Sequence, residues 1–319
     1  MSIPVLVIFA PTATGKTALT LKLFGRSSLS FFKQKAEIIS ADSMQVYKGF
    51  DIGTAKPTEY EQGQLLHHLV DIAEPSRQFS ASDFVEAADK LCREIYSKHK
   101  LPVVAGGTGF YIRNFLLGLP ETPPSDEKIR QKLKDRLAAE GNLALYNELT
   151  SVDSESAEKI NPNDAYRICR ALEVFYTTGK PRSSFKMNSM LRKDFDFHVL
   201  ILEREREELY ERINHRVDLM FEAGLEDEVR KLVTSGCNRD MPAMQAIGYS
   251  EWFDDEGKLR NDTDKIREEI KKHSRKYAKK QYTYMADIPG AVKIPASDEE
   301  KMIQSVENYL SALDLNFDL

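Results

Sequence analysis

Cysteine is scarce in this 319-residue sequence, and long apolar runs are missing altogether. Cys92, Cys169 and Cys237 are odd in number, far apart and outside any C-x-x-C or Cys/His spacing, so we expect buried thiols and no zinc site. No apolar run approaches the roughly twenty residues that cross a bilayer. Apolar residues still make up 41% of the chain and charged residues 30%, which indicates a globular protein of one large or two ordinary domains.

Excess positive charge is also missing, since the formal net charge is −5 at pH 7. This balance argues against indiscriminate binding to nucleic acid, although it does not exclude a local basic groove. The first apolar run begins at Ile3 and leaves no room for a signal peptide. We therefore expect a cytoplasmic protein that makes no contact with membranes.

The N-terminal segment carries a phosphate-binding pattern directly after a predicted strand, Ile3–Phe9. Residues 10–17 read APTATGKT, which matches the Walker A pattern except that Ala10 replaces the first glycine. Inward-facing N–H groups of such a loop and the positive end of the next helix bind phosphates. Lys16, expected to be a surface cation, and the Thr17 hydroxyl would reach the terminal phosphates and a magnesium ion. The predicted diphosphate-binding loop is Ala10, Pro11, Thr12, Ala13, Thr14, Gly15, Lys16 and Thr17.

Short apolar runs alternate with amphipathic segments, which predicts an α/β fold with a parallel sheet. Prolines near residues 120–124 interrupt the alternation, and only helical periodicity follows up to about residue 195. We expect a P-loop NTPase-like core over residues 1–122 and 196–319, interrupted by an all-helical insertion over 123–195. The predicted strands are Ile3–Phe9, Ala36–Ser40, Leu101–Ala105 and Phe197–Leu202, and the predicted helices include Tyr166–Thr178, Glu203–Glu222 and Lys265–Met285.

Asp42 follows the second predicted strand, at the sheet edge where ligands bind in open α/β folds. Its carboxylate could bind magnesium, act as a general base or cap a turn, and the pattern alone leaves these three roles open. Gly106–Tyr111 repeats the passage from a strand into a glycine-rich loop. Thr108 in that loop offers a donor and an acceptor, but a simple tight turn explains the glycines equally well.

Basic residues dominate a predicted helix between Lys271 and Gln281. Arg275 and Lys279 are four residues apart and share a face, while Lys272 and Lys276 form an adjacent row. One helix could therefore address a pyrophosphate and an RNA backbone together, although many charge runs are only solvated faces.

Seven ordered blocks resemble the signatures of tRNA dimethylallyltransferases, and the resemblance covers essentially the whole chain. It implies transfer of a dimethylallyl group from dimethylallyl diphosphate to the exocyclic amine of the adenine 3′-adjacent to the anticodon in tRNA, with release of diphosphate and with Mg²⁺ as cofactor. The zinc finger that some eukaryotic members append has no counterpart in the sequence, which favours the bacterial form, and we expect a monomer. The blocks are Thr12–Thr17, Ser40–Tyr47, Asp51–Pro57, Gly106–Tyr111, Arg167–Glu173, Ala246–Tyr249 and Arg275–Gln281.

The resemblance also implies roles for individual residues. Asp42 matches the general base, Arg275 and Lys279 match a pair that stabilises pyrophosphate, and Lys16 and Thr108 complete the catalytic set. The implied tRNA contacts are Asp42, Ser43, Met44, Gln45, Thr108, Arg130, Arg167, Ile168, Cys169, Arg170 and Ala171. The chain departs from the family at Ala10, at Ser274 where threonine is usual, and at Tyr284 where tryptophan is frequent.

Three other functions share part of this pattern. A small-molecule P-loop kinase would use the same loop and could use Arg130 or Arg136 in a phosphate-facing lid. An RNA-binding module without activity would explain the basic helix but not the phosphate loop. An adenylate prenyltransferase would need no long helical insertion. His67 and His68 are adjacent with no third ligand in sight, so we expect them to be structural.

Overall fold

The computed structural model of the protein describes residues 2–123, 125–185 and 188–313. Within them, six strands form one sheet in the order β3-β2-β4-β1-β5-β6, and every neighbouring pair is parallel. The predicted α/β fold with a parallel, P-loop-like core is confirmed. The strands are β1 Ile3–Phe9, β2 Ala36–Ala41, β3 His67–His68, β4 Leu101–Gly106, β5 Phe195–Glu203 and β6 Val292–Pro295.

The centre of the sheet is β1, whose residues from Val5 to Phe9 are fully buried. Helices on both faces of a parallel sheet bury its strands in this way, which is why β1 is an uninterrupted apolar run. Phe9 and Ala41 are both in register with Gly106. The loops that follow β1, β2 and β4 therefore leave the sheet at the same edge.

Helices connect and flank the strands. None of those in the described residues is long and apolar enough to cross a membrane. Two begin with reciprocal capping boxes, in which Thr58 pairs with Glu61 and Ser80 with Asp83. The helices are α1 Lys16–Phe24, α2 Glu59–Gln64, α3 Ala81–Ser97, α4 Gly109–Leu117, α5 Glu127–Val152, α6 Ser154–Lys159, α7 Ala165–Thr178, α8 Arg206–Glu222, α9 Leu225–Thr234, α10 Thr263–Met285 and α11 Glu299–Ala312.

The chain forms two compact units, one of residues 1–116 with 191–319 and one of Leu117–Met190. The second unit has its own apolar core, formed by side chains of α5, α6 and α7. Gly141 (φ 78°) breaks the helical conformation inside α5, and Gly179 (φ 68°) ends α7 in the left-handed region, as expected for a C-cap glycine.

The two histidines lie in β3 at the edge of the sheet. His68 Nε2 lies 2.8 Å from Glu37 Oε2, and Lys100 Nζ donates to Glu37 Oε1 at the same distance. Burial raises the pKa of Glu37, but the hydrogen bonds from Lys100 and His68 outweigh it and lower the pKa to about 2. His68 is thus part of a structural ion-pair cluster.

Candidate functional site

A cavity of about 640 Å³ lies at the edge of the sheet where β1, β2 and β4 end. Its wall includes residues 12–17 of the predicted phosphate loop, the adjoining Ala18, and residues 42–45 after β2. Residues 53–55, Gly107 and residues 245–247 add further loop segments, and one face each of α8 and α10 completes the lining. The sequence-predicted phosphate loop and Asp42 therefore share one cavity.

The phosphate loop turns through two positive backbone angles, at Ala13 (φ 61°) and Gly15 (φ 109°). Ala10 is fully buried, donates its N–H to Gly106 O at 3.2 Å and does not adopt a positive φ. Alanine is therefore tolerated where the Walker A pattern has its first glycine. The Thr14 hydroxyl donates to Pro11 O at 2.8 Å and closes the loop on itself.

Lys16 is held inside this loop. Its Nζ donates to Ala10 O and Pro11 O, each at 2.8 Å. Burial and, next, the positive charge of Arg216 lower the pKa of Lys16, Asp42 opposes them, and the net pKa is about 7. Lys16 is therefore half-buried rather than the surface cation that the sequence suggested, because its ammonium is bonded to carbonyls of the loop itself.

Arginines of the segment that contains α8 bind the same loop, and sequence reasoning missed them. Arg204 Nε donates to Thr14 O at 3.1 Å, and Arg212 Nε donates to Ala13 O at 2.8 Å. Arg216 Nη1 donates to Thr12 Oγ1 at 3.0 Å, and burial lowers the pKa of Arg216. The available signal was the spacing of Arg212 and Arg216, which puts two cations on one helical face.

Gln281 of α10 joins two of the loops. Its Oε1 accepts the N–H of Thr12 at 3.2 Å, and its Nε2 donates to Gly107 O at 2.6 Å. A Cβ on Gly107 would lie 2.3 Å from Gln281 Nε2, and one on Gly109 would lie 2.4 Å from Tyr284 Cβ. These glycines thus allow α10 to pack closely against the loop after β4.

Asp42 caps its own turn, which was one of the three roles left open. Its Oδ1 accepts the N–H groups of Met44 at 2.9 Å and Gln45 at 3.3 Å. Both bonds use the same oxygen, and the residue lines the cavity together with Lys16 and Thr17. Capping and chemistry at this carboxylate are therefore compatible.

Thr108 lies behind Ser43 and is 9% exposed. Its hydroxyl accepts the Ser43 N–H at 2.9 Å and donates to Ser43 Oγ at 3.3 Å. Burial raises the pKa of the neighbouring Tyr277 to about 12, so that phenol stays protonated at neutral pH. These bonds let Thr108 orient the loop after β2. Ser43 of that loop lines the cavity wall.

The face of α10 that lines the cavity carries Ile270, Ser274, Tyr277 and Gln281. Arg275 and Lys279 lie on a different face of this helix. Arg275 Nη1 donates to Asn214 Oδ1 of α8, and Lys279 is exposed. The structure does not bring this pair to the phosphate loop. Arg204, Arg212 and Arg216 are the arginines bonded to that loop.

In the helical unit, part of the implied tRNA contact set is buried. Ile168 and Ala171 are fully buried in the core of the unit, and Cys169 packs partly against the same core. Side chains that are 0% exposed cannot reach an RNA, so the expected contacts of Ile168 and Ala171 are corrected to core packing. In α7, Ile168 and Ala171 alternate with Arg167 and Arg170 because the helix turns an apolar face to the core of the unit and a polar face away from it.

The arginines of that unit remain accessible to different degrees. Arg167 has a side chain that is 61% exposed and lies 3.5 Å from Asp164. Arg170 is more enclosed, because it pairs with Glu173 at 2.9 Å and donates to Pro123 O. Arg130 bonds the Ser125 hydroxyl.

Clusters of three or more His, Cys, Asp or Glu that could hold a metal do not occur in the part of the chain that the structure describes. Oxygen donors do face the phosphate loop, since Thr17 and Asp42 line the main cavity and a smaller one of about 50 Å³ next to it. This donor set fits a hard cation that takes most of its ligands from phosphates and water.

Comparisons with known proteins identify relatives over nearly the full length. The sequence model of the IPP transferase family matches residues 45–287. A tRNA dimethylallyltransferase of Acetivibrio thermocellus is 42% identical over 320 residues, covering 98% of both chains. The full-length tRNA isopentenylpyrophosphate transferase of Bacillus halodurans is 35% identical with a TM-score of 0.66, over 97% of this chain and 96% of that one. A eukaryotic dimethylallyltransferase acting on tRNA is 28% identical with a TM-score of 0.78, over 99% of this chain and 79% of that one.

Proposed function

The chain belongs to the tRNA dimethylallyltransferase family, as its sequence blocks indicated, and from this premise we propose the reaction that it catalyses. It transfers a dimethylallyl group from dimethylallyl diphosphate to the exocyclic amine of the adenine 3′-adjacent to the anticodon in tRNA and releases diphosphate. The observation that carries this proposal is the cavity in which a phosphate loop, a carboxylate and an apolar wall meet.

The diphosphate binds at the loop. Backbone N–H groups of residues 13–17, the N-terminus of α1, Lys16 and Arg216 supply positive charge there. Negative charge grows on the leaving oxygens as the C–O bond breaks, so preorganised cations at this point stabilise the transition state more than the ground state. Arg216 would supply the pyrophosphate-stabilising role that the resemblance implied for Arg275 and Lys279, and that pair would remain available for phosphates bound outside the cavity.

The dimethylallyl group lies against the apolar wall. Ile213, Val217 and Met220 of α8, with Ile247 and Ile270, line the cavity on this side. Apolar side chains favour the hydrocarbon and exclude water, which would otherwise capture the developing allylic cation.

Asp42 acts as the general base. The exocyclic amine of adenine is a weak nucleophile until its proton is drawn away, and a carboxylate beside the phosphate loop is placed to accept it. Thr108 and Ser43 fix the loop that carries Asp42, and Met44 and Gln45 orient its Oδ1 through their N–H groups. Ser43, Met44 and Gln45 also line the cavity and would contact the target nucleotide.

Magnesium fits at the phosphate loop, with the Thr17 hydroxyl as the side-chain group that would hold it. When bound, it would neutralise part of the charge on the diphosphate oxygens.

The tRNA is held by residues around and beyond the cavity. A base in an anticodon loop is unpaired, so flipping it into an enclosed cavity costs only a few kcal/mol. Arg130, Arg167 and Arg170 of the Leu117–Met190 unit, with the exposed Lys272 and Lys276 of α10, are the side chains available for RNA phosphates. A monomer working in the cytoplasm, where tRNA occurs, suffices for this reaction.

One experiment separates the proposal from its alternatives. The protein is incubated with labelled dimethylallyl diphosphate and with bulk tRNA, AMP or no acceptor. Label in tRNA at the adenosine 3′ of the anticodon supports the proposal, whereas label in AMP supports an adenylate prenyltransferase. A parallel reaction with γ-labelled ATP and small-molecule acceptors tests the kinase alternative, and label transferred there would contradict the proposal.

A further inference from the structure

Glu228 of α9 accepts hydrogen bonds from three consecutive backbone N–H groups of the loop after Phe50. Its Oε2 accepts from Asp51 at 3.1 Å and from Ile52 at 2.8 Å, and its Oε1 accepts from Gly53 at 3.2 Å. Three N–H groups that converge on one point form a nest for an anion, and here the anion belongs to the protein itself. Hydrogen bonds to a charged acceptor contribute more than neutral ones.

A second contact fixes the same loop from the other side. The Tyr249 hydroxyl donates to Glu228 Oε1 at 2.6 Å, and burial raises the pKa of Tyr249 so that the phenol remains a donor. A Cβ on Gly53 would lie 2.5 Å from the Tyr249 ring, and one on Gly248 would lie 3.3 Å from Gly53 O. The loop is therefore pressed against the Gly248–Tyr249 segment, and only glycine at position 53 fits.

The loop held by Glu228 continues into the cavity. Gly53, Thr54 and Ala55 line the cavity wall directly after the anchored N–H groups. Gln45 Nε2 donates to Ala55 O at 3.2 Å, and the Gln45 N–H donates to Asp42 Oδ1 at 3.3 Å. A continuous chain of contacts thus runs from Glu228 through this wall to the loop that carries the carboxylate.

We propose that Glu228 is a positioning residue for prenyl transfer: it holds the wall formed by Gly53–Ala55 and, through Gln45, keeps Asp42 in register with the target base. The inference rests on the proposed function, because it takes Asp42 as the base. Glu228 does not line the cavity, so it acts without touching either substrate. Its loss should affect the reaction step and leave the phosphate loop unchanged.

The test compares Glu228→Ala and Glu228→Gln with the parent protein. We expect Glu228→Ala to bind pyrophosphate within about twofold of the parent and to lose on the order of ten- to a hundredfold in single-turnover prenyl transfer at saturating tRNA, the scale of a misplaced reacting group. Glu228→Gln keeps one acceptor oxygen for the Asp51 and Ile52 N–H groups, so its rate should fall between those of parent and Glu228→Ala. Glu226→Gln is the matched control, since Glu226 is on the same helix and pairs with Arg230 outside the cavity.

Several outcomes would overturn the inference. One is a Glu228→Ala rate within twofold of the parent. Another is an equal loss of pyrophosphate affinity and rate, which would make Glu228 a general stabilising residue. If Glu228→Ala does not fold, Glu228→Gln and Tyr249→Phe decide the matter, and parental single-turnover rates in both contradict the proposal. A parent protein that labels no tRNA would refute the proposed function instead, so the two failures are distinct.

Discussion

Arg216 donates a hydrogen bond to the Thr12 hydroxyl at 3.0 Å, so a half-buried guanidinium reaches the phosphate loop from α8. The contact places a second cation beside Lys16 at one end of the cavity. The positive charge of Arg216 contributes to the lowered pKa of Lys16, and such a pair of cations is tolerated where an anion is to be bound.

Replacing Arg216 with glutamine should weaken pyrophosphate binding about ten- to a hundredfold, the equivalent of one charge-assisted hydrogen bond. The guanidinium supplies charge that the amide lacks. Isothermal titration calorimetry measures the effect. Arg206→Gln is the control, because Arg206 is exposed on the same helix and bonds Tyr210. Equal affinities of the two variants would show that Arg216 only packs against the loop.

Pyrophosphate binding should take up a proton at Lys16. Burial lowers the pKa of this lysine to about 7 in the free protein, and a bound anion favours its protonated form. Affinity should therefore fall as the pH rises from 6 to 9. Since pyrophosphate itself titrates, the readout is the difference from Lys16→Arg, whose charge does not change in this range. The number of protons taken up on binding is measured in two buffers. If the parent and Lys16→Arg take up the same number, the prediction is contradicted.

Replacing Asp42 with asparagine should reduce single-turnover transfer by about a hundredfold or more, the scale of a lost general base. The amide still accepts the Met44 and Gln45 N–H groups, so the turn and the binding of both substrates should be retained. Rapid quench with labelled dimethylallyl diphosphate measures the step. A rate within a few-fold of the parent would make Asp42 a turn cap only.

Reversing the charges of Lys272 and Lys276 should weaken tRNA binding and reduce its salt dependence, because each lost phosphate contact lowers the slope by about one. Both side chains are exposed and lie outside the cavity wall, so pyrophosphate affinity should stay the same. Filter binding at several salt concentrations measures the slope. Lys258→Glu, at an exposed lysine paired with Glu256, is the control. An unchanged slope would mean that this row is merely solvated.

Truncating Arg167 to alanine should weaken binding of an anticodon stem-loop severalfold, because its exposed guanidinium is available to RNA phosphates. Lys159→Ala removes an exposed cation of the same unit and serves as the control. The binding of both variants is compared by fluorescence anisotropy. If both lose the same affinity, the effect is one of net charge and not of a specific contact.

Local sequence was enough to predict much of this molecule. Ile3–Phe9 is a strand because seven residues of uninterrupted apolar character need burial on two faces. The six residues between β1 and α1 form a loop that Gly15 and the following Lys16 make recognisable. The sequence did not predict β3 or β6. Each is short, three of the four residues of β6 are exposed, and only pairing with a neighbour makes them strands.

The site could be predicted only where its residues are close in sequence. Asp42 follows a strand end and can be found by that rule, but Arg216 and Gln281 reach Thr12 across most of the chain. Their side chains look like ordinary members of charged helices until the packing of α8 and α10 is known. Arg275 shows the converse, because its helix was predicted correctly, whereas its bond to Asn214 depends on how α10 packs against α8.

The central strand β1 is made early, but its pairing with both neighbouring strands is completed late in synthesis. One of its neighbours, β4, precedes the Leu117–Met190 unit in the chain, and the other, β5, follows it. At about 5–20 residues per second, a ribosome leaves one edge of β1 unpaired for several seconds while the helical unit emerges. An exposed apolar strand edge can pair with another chain, so the nascent protein is most prone to aggregation in that interval. Chaperone demand during translation should therefore peak before Phe195 is added.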